Sequence, residues 1–155
     1  METKTIAKCG VVAAMYVVVT IALAPISYGP IQFRVSELIK PLALFDPEMA
    51  LAFALGTGIS NIMSPFGPWD YIVMAVVDGV AAFACWKLRK YPWLSLVVQS
   101  LVISIGVAVF PLWLGGGISP ILTFPGIMLS ETVILLAAYA IIWRPRTKLI
   151  CHYLN

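Results

Sequence analysis

The chain of 155 residues is 61% hydrophobic and only 11% charged, with a net charge of +3 and a mean hydropathy of +0.98. A soluble domain averages roughly 25% charged residues, and one of this length could not hide so much apolar surface, so the composition points to an integral membrane protein. No basic patch is interleaved with polar sequence, which argues against nucleic acid as a partner.

In chain order, Lys4 and Lys8 introduce an apolar run over 6–24, long enough for the roughly 20 residues a membrane crossing needs. Its end, Ala22-Leu23-Ala24, has the small-x-small form of a signal cleavage site. Pro25 would follow the cut and the run exceeds a signal core, so it reads as a retained span. Gly10 and Ala14 lie four apart, with Ala7 and Ala13 nearby. That spacing lets helices approach closely in lipid, within this chain or against another subunit. The region 36–64 is too long for one span and short for two. Asp46-Pro47-Glu48 interrupts it, and a residue preceding proline marks a helix boundary. It divides into a short segment near 36–46, crossing or re-entrant, and a fuller one over 48–63 with its own small-residue run, Ala50, Ala54 and Gly58. Further spans are expected over 68–86, 93–112 and 121–143.

Basic residues set the orientation, because cytoplasmic loops are enriched in Lys and Arg. Lys4 and Lys8, then Lys87, Arg89 and Lys90, then Arg144, Arg146 and Lys148 hold eight of the ten bases. They share one side only if an even number of crossings separates the groups. The expectation is a single all-α membrane domain, 1–155, of six transmembrane helices with both termini cytoplasmic. Three connections then face outward: 25–35 (PISYGPIQFRV), 64–69 (SPFGPW) and 113–120 (WLGGGISP). All are rich in Gly, Pro and aromatics, none carries a Lys, and together they suggest a pocket mouth.

Ionisable groups inside membrane helices are functional candidates by default. Glu37 and Lys40 lie in the short second helix, Asp78 at mid-span of the fourth, and Glu131 about ten residues into the sixth. Polar neighbours are Ser60 and Asn61 at the outer end of the third helix, Asp70 beside Trp69 at the start of the fourth, and Gln99 in the fifth. Plainer readings stand beside these. Asp70 suits a helix N-terminus, Arg34 and Glu37 are spaced for a local ion pair, Lys40 can pair with Glu37 or snorkel, Gln99 can bridge helices, and Trp69 and Trp113 suit an interfacial belt. Asp78 and Glu131 are harder to dismiss, since no basic residue stands out in the sequence as their partner. A Walker loop, a nucleophile elbow and a His-based metal motif are all missing. Cys9, Cys85 and Cys151 lack ligand spacing, and His152 is the only histidine. No enzyme, cofactor or metal site is expected, so active transport would need an ion gradient or an ATP-hydrolysing partner.

The stretch ALAPISYGPIQFRVSEL, residues 22–38, resembles the signature of the QueT family, and NIMSPFGPWD, 61–70, resembles that family's Asn-x-x-Ser-Pro-x-Gly segment followed by an Asp. The similarity extends over most of the chain and departs at Leu38-Ile39-Lys40-Pro41, where a charge follows the Ser-Glu pair. The resemblance implies a substrate-binding S component of an energy-coupling factor (ECF) importer in a prokaryotic plasma membrane. It implies a queuosine precursor, a 7-deazaguanine base, held near the outer face under the loop between helices 1 and 2. It also implies a transmembrane coupling subunit docked at Gly10 and Ala14, and two ATPase subunits. The residue chemistry fits such a ligand independently. A carboxylate of Glu37, Asp78 or Glu131 accepts a ring N–H beside an exocyclic amine. Asn61 or Gln99 serves the carbonyl and ring nitrogens, and Tyr28, Phe33 or Trp69 stacks on the flat base. Arg34 and Glu37 would sit at the hinge of the lid, with Asp70 alongside. Two other classes remain open: a stand-alone secondary transporter or channel using the intramembrane carboxylates, and a structural membrane protein.

Overall fold

The computed structural model describes residues 3–27 and 34–147, and every described element is helical. Four helices are long and apolar enough to cross a membrane: α1 (Thr3–Ala22), α4 (Trp69–Lys87), α5 (Pro92–Gly115) and α6 (Pro120–Arg146). A shorter apolar helix, α3 (Met49–Met63), lies between α1 and α4. Beyond a break at Leu23, α1 adds one turn over Ala24–Ser27. The remaining element, α2 (Val35–Leu44), is a 3₁₀ helix. These bounds match the sequence-based spans to within a few residues, and the division of 36–64 at Asp46-Pro47-Glu48 is present.

Local chemistry explains the ends. Pro92 and Pro120 occupy the first positions of α5 and α6, where a missing N–H costs nothing. Gly67 and Gly117 take positive φ values of 64° and 70° in the turns before α4 and α6, a conformation side chains resist. Pro111 falls inside the last turns of α5, which widen to π geometry over Ala108–Gly115, relieving the clash and absent hydrogen bond of a helical proline.

The helices pack in an open series, α1, α3, α4, α5 and α6, and α2 touches all five, bridging α1 and α6. Small residues set the close approaches. A methyl placed on Gly56 of α3 would lie 3.2 Å from the Tyr16 ring of α1, and one on Gly79 of α4 would lie 3.2 Å from Cβ of Ala54. Gly58 faces Ala75 in the same way, so the Ala50, Ala54, Gly58 run of α3 is spent on packing within the chain. Gly10 differs: a methyl there would meet nothing within 4 Å, and Ala14 is exposed beside it.

The outer surface is apolar, with Val11, Met15, Val76, Val80, Ile121, Leu122 and Val133 all more than half exposed. The interior carries the charge. Arg34, Glu37, Lys40, Asp70, Asp78, Gln99 and Glu131 are all at most 4% exposed. A soluble protein has the reverse distribution, and together with the long apolar helices it makes this a multi-pass membrane protein.

Candidate functional site

The 3₁₀ geometry of α2 builds the core of the site. With three residues per turn, side chains at i and i+3 eclipse, so Arg34, Glu37, Lys40 and Ala43 line one edge, and all four are buried. Rising about 2.0 Å per residue, ten residues reach about 20 Å, where an α-helix would reach about 15 Å. Glu37 N–H donates to the Arg34 carbonyl at 3.1 Å, and Phe45 N–H to Leu42 at 3.0 Å. Pro41 withdraws a donor from the segment. Trp143 of α6 steadies it from outside, donating from Nε1 to the Leu38 carbonyl at 2.7 Å.

Lys40 is the hub. Its Nζ lies 2.6 Å from Oε2 of Glu37 and 2.9 Å from Oδ1 of Asp78. Tyr16 Oη donates to Oε1 of Glu37 at 2.6 Å, and the Tyr16 ring lies under the ammonium, 5.5 Å from its centroid. Thr57 of α3 donates to Oδ2 of Asp78. Glu37 and Asp78 therefore each have a cation and a neutral donor. This corrects the expectation that Asp78 lacks a basic partner. Lys40 supplies it from 38 residues away, and it pairs with Glu37 as well, so it does not snorkel.

A second cluster joins the starts of α2 and α4. Arg34 donates from Nε to the Ser27 carbonyl at 3.3 Å and places Nη2 3.9 Å from Oδ1 of Asp70. Asn61 donates from Nδ2 to the same Oδ1 at 2.8 Å. Asp70 is fully buried in this cluster, so its role exceeds that of a charge at a helix end. Nearby, Thr20 donates to Ser36 Oγ at 2.7 Å, tying α1 to α2.

Gln99 and Glu131 complete the buried set. Two apolar clusters fill the interior, one including Ala82, Leu96 and Leu135, the other including Met74, Ile103 and Ile127. On α4, α5 and α6 one carboxylate or amide residue sits between them: Asp78 between Met74 and Ala82, Gln99 between Leu96 and Ile103, Glu131 between Ile127 and Leu135. Spacings of three and four keep each on the inward face of its helix. Gln99 is fully buried, and neither Oε1 nor Nε2 has a hydrogen-bond partner; Oε2 of Glu131 lacks one too.

Other residues singled out in the sequence fall elsewhere. Trp69 is 41% exposed and stacks on Phe110 with ring centroids 6.4 Å apart, outside the buried set. Trp113 is 51% exposed, as an interfacial residue would be. Gly10 and Ala14 line an open apolar groove with Val17, Leu55 and Ile59. Tyr28, Phe33, Cys151 and His152 lie outside the described residues. Tyr16, Thr20 and Thr57 were not read as part of the site. Their signal in the sequence is weak, since one Tyr or Thr within an apolar run is ordinary. Among the described residues no group of three or more His, Cys, Asp and Glu could hold a metal ion.

A family model described as QueT transporter matches residues 6–144. Over 65 residues the chain is 45% identical to a protein of Lactococcus lactis subsp. cremoris (strain MG1363) named Queuosine precursor transporter QueT, a stretch covering 41% of this chain and 38% of that protein. No solved structure matches significantly.

Proposed function

The chain belongs to the QueT transporter family, and from that premise we propose that it is the substrate-binding membrane subunit of an energy-coupling factor importer for a queuosine precursor, a 7-deazaguanine base. The name of the Lactococcus relative supports the substrate class. The observation that carries the reading is an apolar-surfaced helical body whose interior keeps polar atoms of Gln99 and Glu131 without partners. Nearly all buried polar groups in proteins are satisfied, and Asn61, Asp70 and Ser104 keep idle atoms as well, so such an interior suits a protein that awaits a polar ligand.

On this reading α1 to α6 make six crossings of a prokaryotic plasma membrane with both termini cytoplasmic. In support, Lys8, Lys87 and Arg144 belong to connections that alternate helices carry to one side. The substrate lies toward the opposite face, beneath the 25–35 loop. Arg34 hinges that loop against Asp70 and Asn61, and Tyr28 and Phe33 close over the base, while Trp69 stands at the mouth. The groove at Gly10 and Ala14 receives the transmembrane coupling subunit, which two ATPase subunits drive. The test is direct binding. The protein purified in detergent is titrated with 7-cyano-7-deazaguanine, 7-aminomethyl-7-deazaguanine, queuine and guanine, followed by tryptophan fluorescence and calorimetry. Sub-micromolar binding of a deazaguanine, with guanine weaker, is expected. A folded sample that binds none of them refutes the proposal. Uptake into liposomes without any ATPase partner would refute the importer-subunit role in favour of a secondary transporter.

A further inference from the structure

We propose that Gln99 and Glu131 are the pair that reads the ligand's hydrogen-bonding edge, whereas Glu37 and Asp78 are held by Lys40 as part of the fold. The inference rests on the reading above, that the buried layer receives a flat, donor-rich base.

Four buried carboxylates are candidates, and their partners separate them. Glu37 pairs with Lys40 and Tyr16, Asp78 with Lys40 and Thr57, and Asp70 with Asn61 and Arg34 through Oδ1, its Oδ2 accepting no hydrogen bond. For Glu37 or Asp78 to turn to a ligand, Lys40 would have to release it, and that residue is 1% exposed. Glu131 is different. Among the described residues it is the one of the four that makes no ion pair, and its Oε2 accepts no hydrogen bond. Gln99 is the starker case: a primary amide at zero exposure with donor and acceptor both idle. Burying an amide without partners is unfavourable, and two neighbouring hydroxyls of α5 do find partners, although Ser104 does not. Ser95 donates to the Cys85 carbonyl, and Ser100 Oγ meets Thr132 Oγ1.

Two observations put Gln99 and Glu131 at a similar level of the bundle. Ser100 and Thr132, the next residue along each helix, touch at 2.7 Å, which fixes the level at which α5 and α6 meet. Both side chains also lie between the same two apolar clusters, so they share a depth. An amide and a carboxylate at one level have a defined complement. The carboxylate accepts two adjacent N–H groups, and the amide donates to a carbonyl. A guanine-type edge presents that order: exocyclic amine, ring N–H, carbonyl. An adenine-type edge offers an amine beside a ring acceptor and leaves the carboxylate half-served. Charge agrees, since apart from Asp46, which pairs with Lys8, the interior sets two bases, Arg34 and Lys40, against four carboxylates, and a ligand rich in N–H donors answers the deficit.

The experiment compares 7-deazaguanine with 7-deazahypoxanthine, the same ring without its exocyclic amine, on the parent protein, Glu131→Gln, Gln99→Leu and Glu37→Gln. In the parent, loss of the amine should weaken binding about 10–100-fold, as for a hydrogen bond to a charged group. Glu131→Gln should bind 7-deazaguanine weaker by a similar factor and distinguish the two probes by less than about 3-fold. Gln99→Leu should weaken both probes equally, with the unfolding temperature of the ligand-free protein at or above the parent's. Glu37→Gln should keep the parent's preference for the amine. The assignment is overturned if Glu131→Gln retains the parent's amine preference, if Glu37→Gln abolishes it instead, or if Glu131→Gln or Gln99→Leu fails to fold. A parent that binds neither probe, nor any base in the titration above, brings down the binding reading itself, an outcome distinct from all of these.

Discussion

Removing the ammonium of Lys40 isolates the contribution of the buried hub. Lys40→Met keeps most of the side chain's volume and leaves Glu37 and Asp78, 1% and 2% exposed, without their shared cation. At an effective dielectric of about 20, unit charges 2.6 and 2.9 Å apart attract by about 6 kcal/mol each. Most of that offsets the cost of desolvating three ions. Deleting one partner of a buried pair destabilises by about 3–5 kcal/mol, and orphaning two carboxylates at once places this variant near the top of that range. For a chain of this size each kcal/mol moves the unfolding temperature by about 2–4 °C, so a fall of roughly 10–20 °C is expected in detergent, read by tryptophan fluorescence. The companion variants decide whether charge is the cause. Adding Glu37→Gln should recover part of the loss. The triple variant with Asp78→Asn should come close to the parent, because replacing a whole buried ion cluster costs far less than breaking it. A Lys40→Met protein within 3 °C of the parent, or a triple variant less stable than the single one, would refute the account.

Three other outcomes follow from local geometry. Tyr16→Phe removes the donor to Glu37 Oε1 at 2.6 Å and should cost about 1–3 kcal/mol, with a smaller loss when Glu37→Gln is already present, because the amide oxygen is a weaker acceptor than the carboxylate, as measured by a double-mutant cycle in thermal unfolding. A methyl on Gly106 would come within 2.6 Å of Val77 Cγ1, so Gly106→Ala should destabilise by about 1–3 kcal/mol, and Val77→Ala should restore most of it. At the end of the molecule near Lys8, the hydrogen-bonded ion pair with Lys8 holds the Glu48 carboxyl below its usual range, with Thr5 adding a second donor. Its stabilisation is therefore complete above the unfolded carboxylate value of about 4.3 and is lost as the pH falls through the depressed folded value. Glu48→Gln should flatten the acid limb of stability between pH 3 and 5 and leave it unchanged in slope above pH 6, seen in unfolding temperature against pH.

What the sequence made legible is what depends on neighbours along the chain. Hydropathy located α1, α4, α5 and α6 because lipid demands about 20 apolar residues in a row, and Pro47 divided α2 from α3 because the restriction it imposes on Asp46 is local. The polar residues could be singled out for the same reason: Asp78, Gln99 and Glu131 are conspicuous in apolar runs. Their pairing could not. Lys40 and Asp78 are 38 positions apart, and Arg34 and Asp70 are 36 apart, so their contacts appear only once α2 is packed against the other helices. The i,i+3 spacing of Arg34 and Glu37 suggested a mutual pair, whereas Arg34 reaches Ser27 and Asp70, and Glu37 meets Lys40 and Tyr16. Small-residue patterns were ambiguous for a related reason. The spacings of Gly10/Ala14 and Ala54/Gly58 are alike, yet one faces outward and the other packs on α4.

The central place of α2 resolves what is anomalous in its sequence. A ten-residue segment carrying Glu37, Lys40 and Pro41 could not face lipid, where unpaired charge and a missing backbone hydrogen bond are both costly. Packed against all five other helices, it keeps Glu37, Lys40 and Pro41 inside and turns only the partly buried Val35, Leu38, Ile39 and Leu42 toward the surface. Burial then forces each charge to find a partner, and the eclipsed 3₁₀ register supplies one direction for all of them. Neutralising two carboxylates through Lys40 leaves the third, Glu131, as the group with an idle oxygen in the layer it shares with Gln99. On the proposed reading, Lys40 would also bear on selection: by occupying Glu37 and Asp78 it would set which carboxylate stays open to a ligand. Lys40→Met combined with Glu37→Gln tests that step. If Lys40 confines recognition to Glu131, the double variant should bind guanine-edge and adenine-edge bases with a smaller difference than the parent, because Asp78 becomes a second acceptor. An unchanged difference would show that Lys40 serves stability alone.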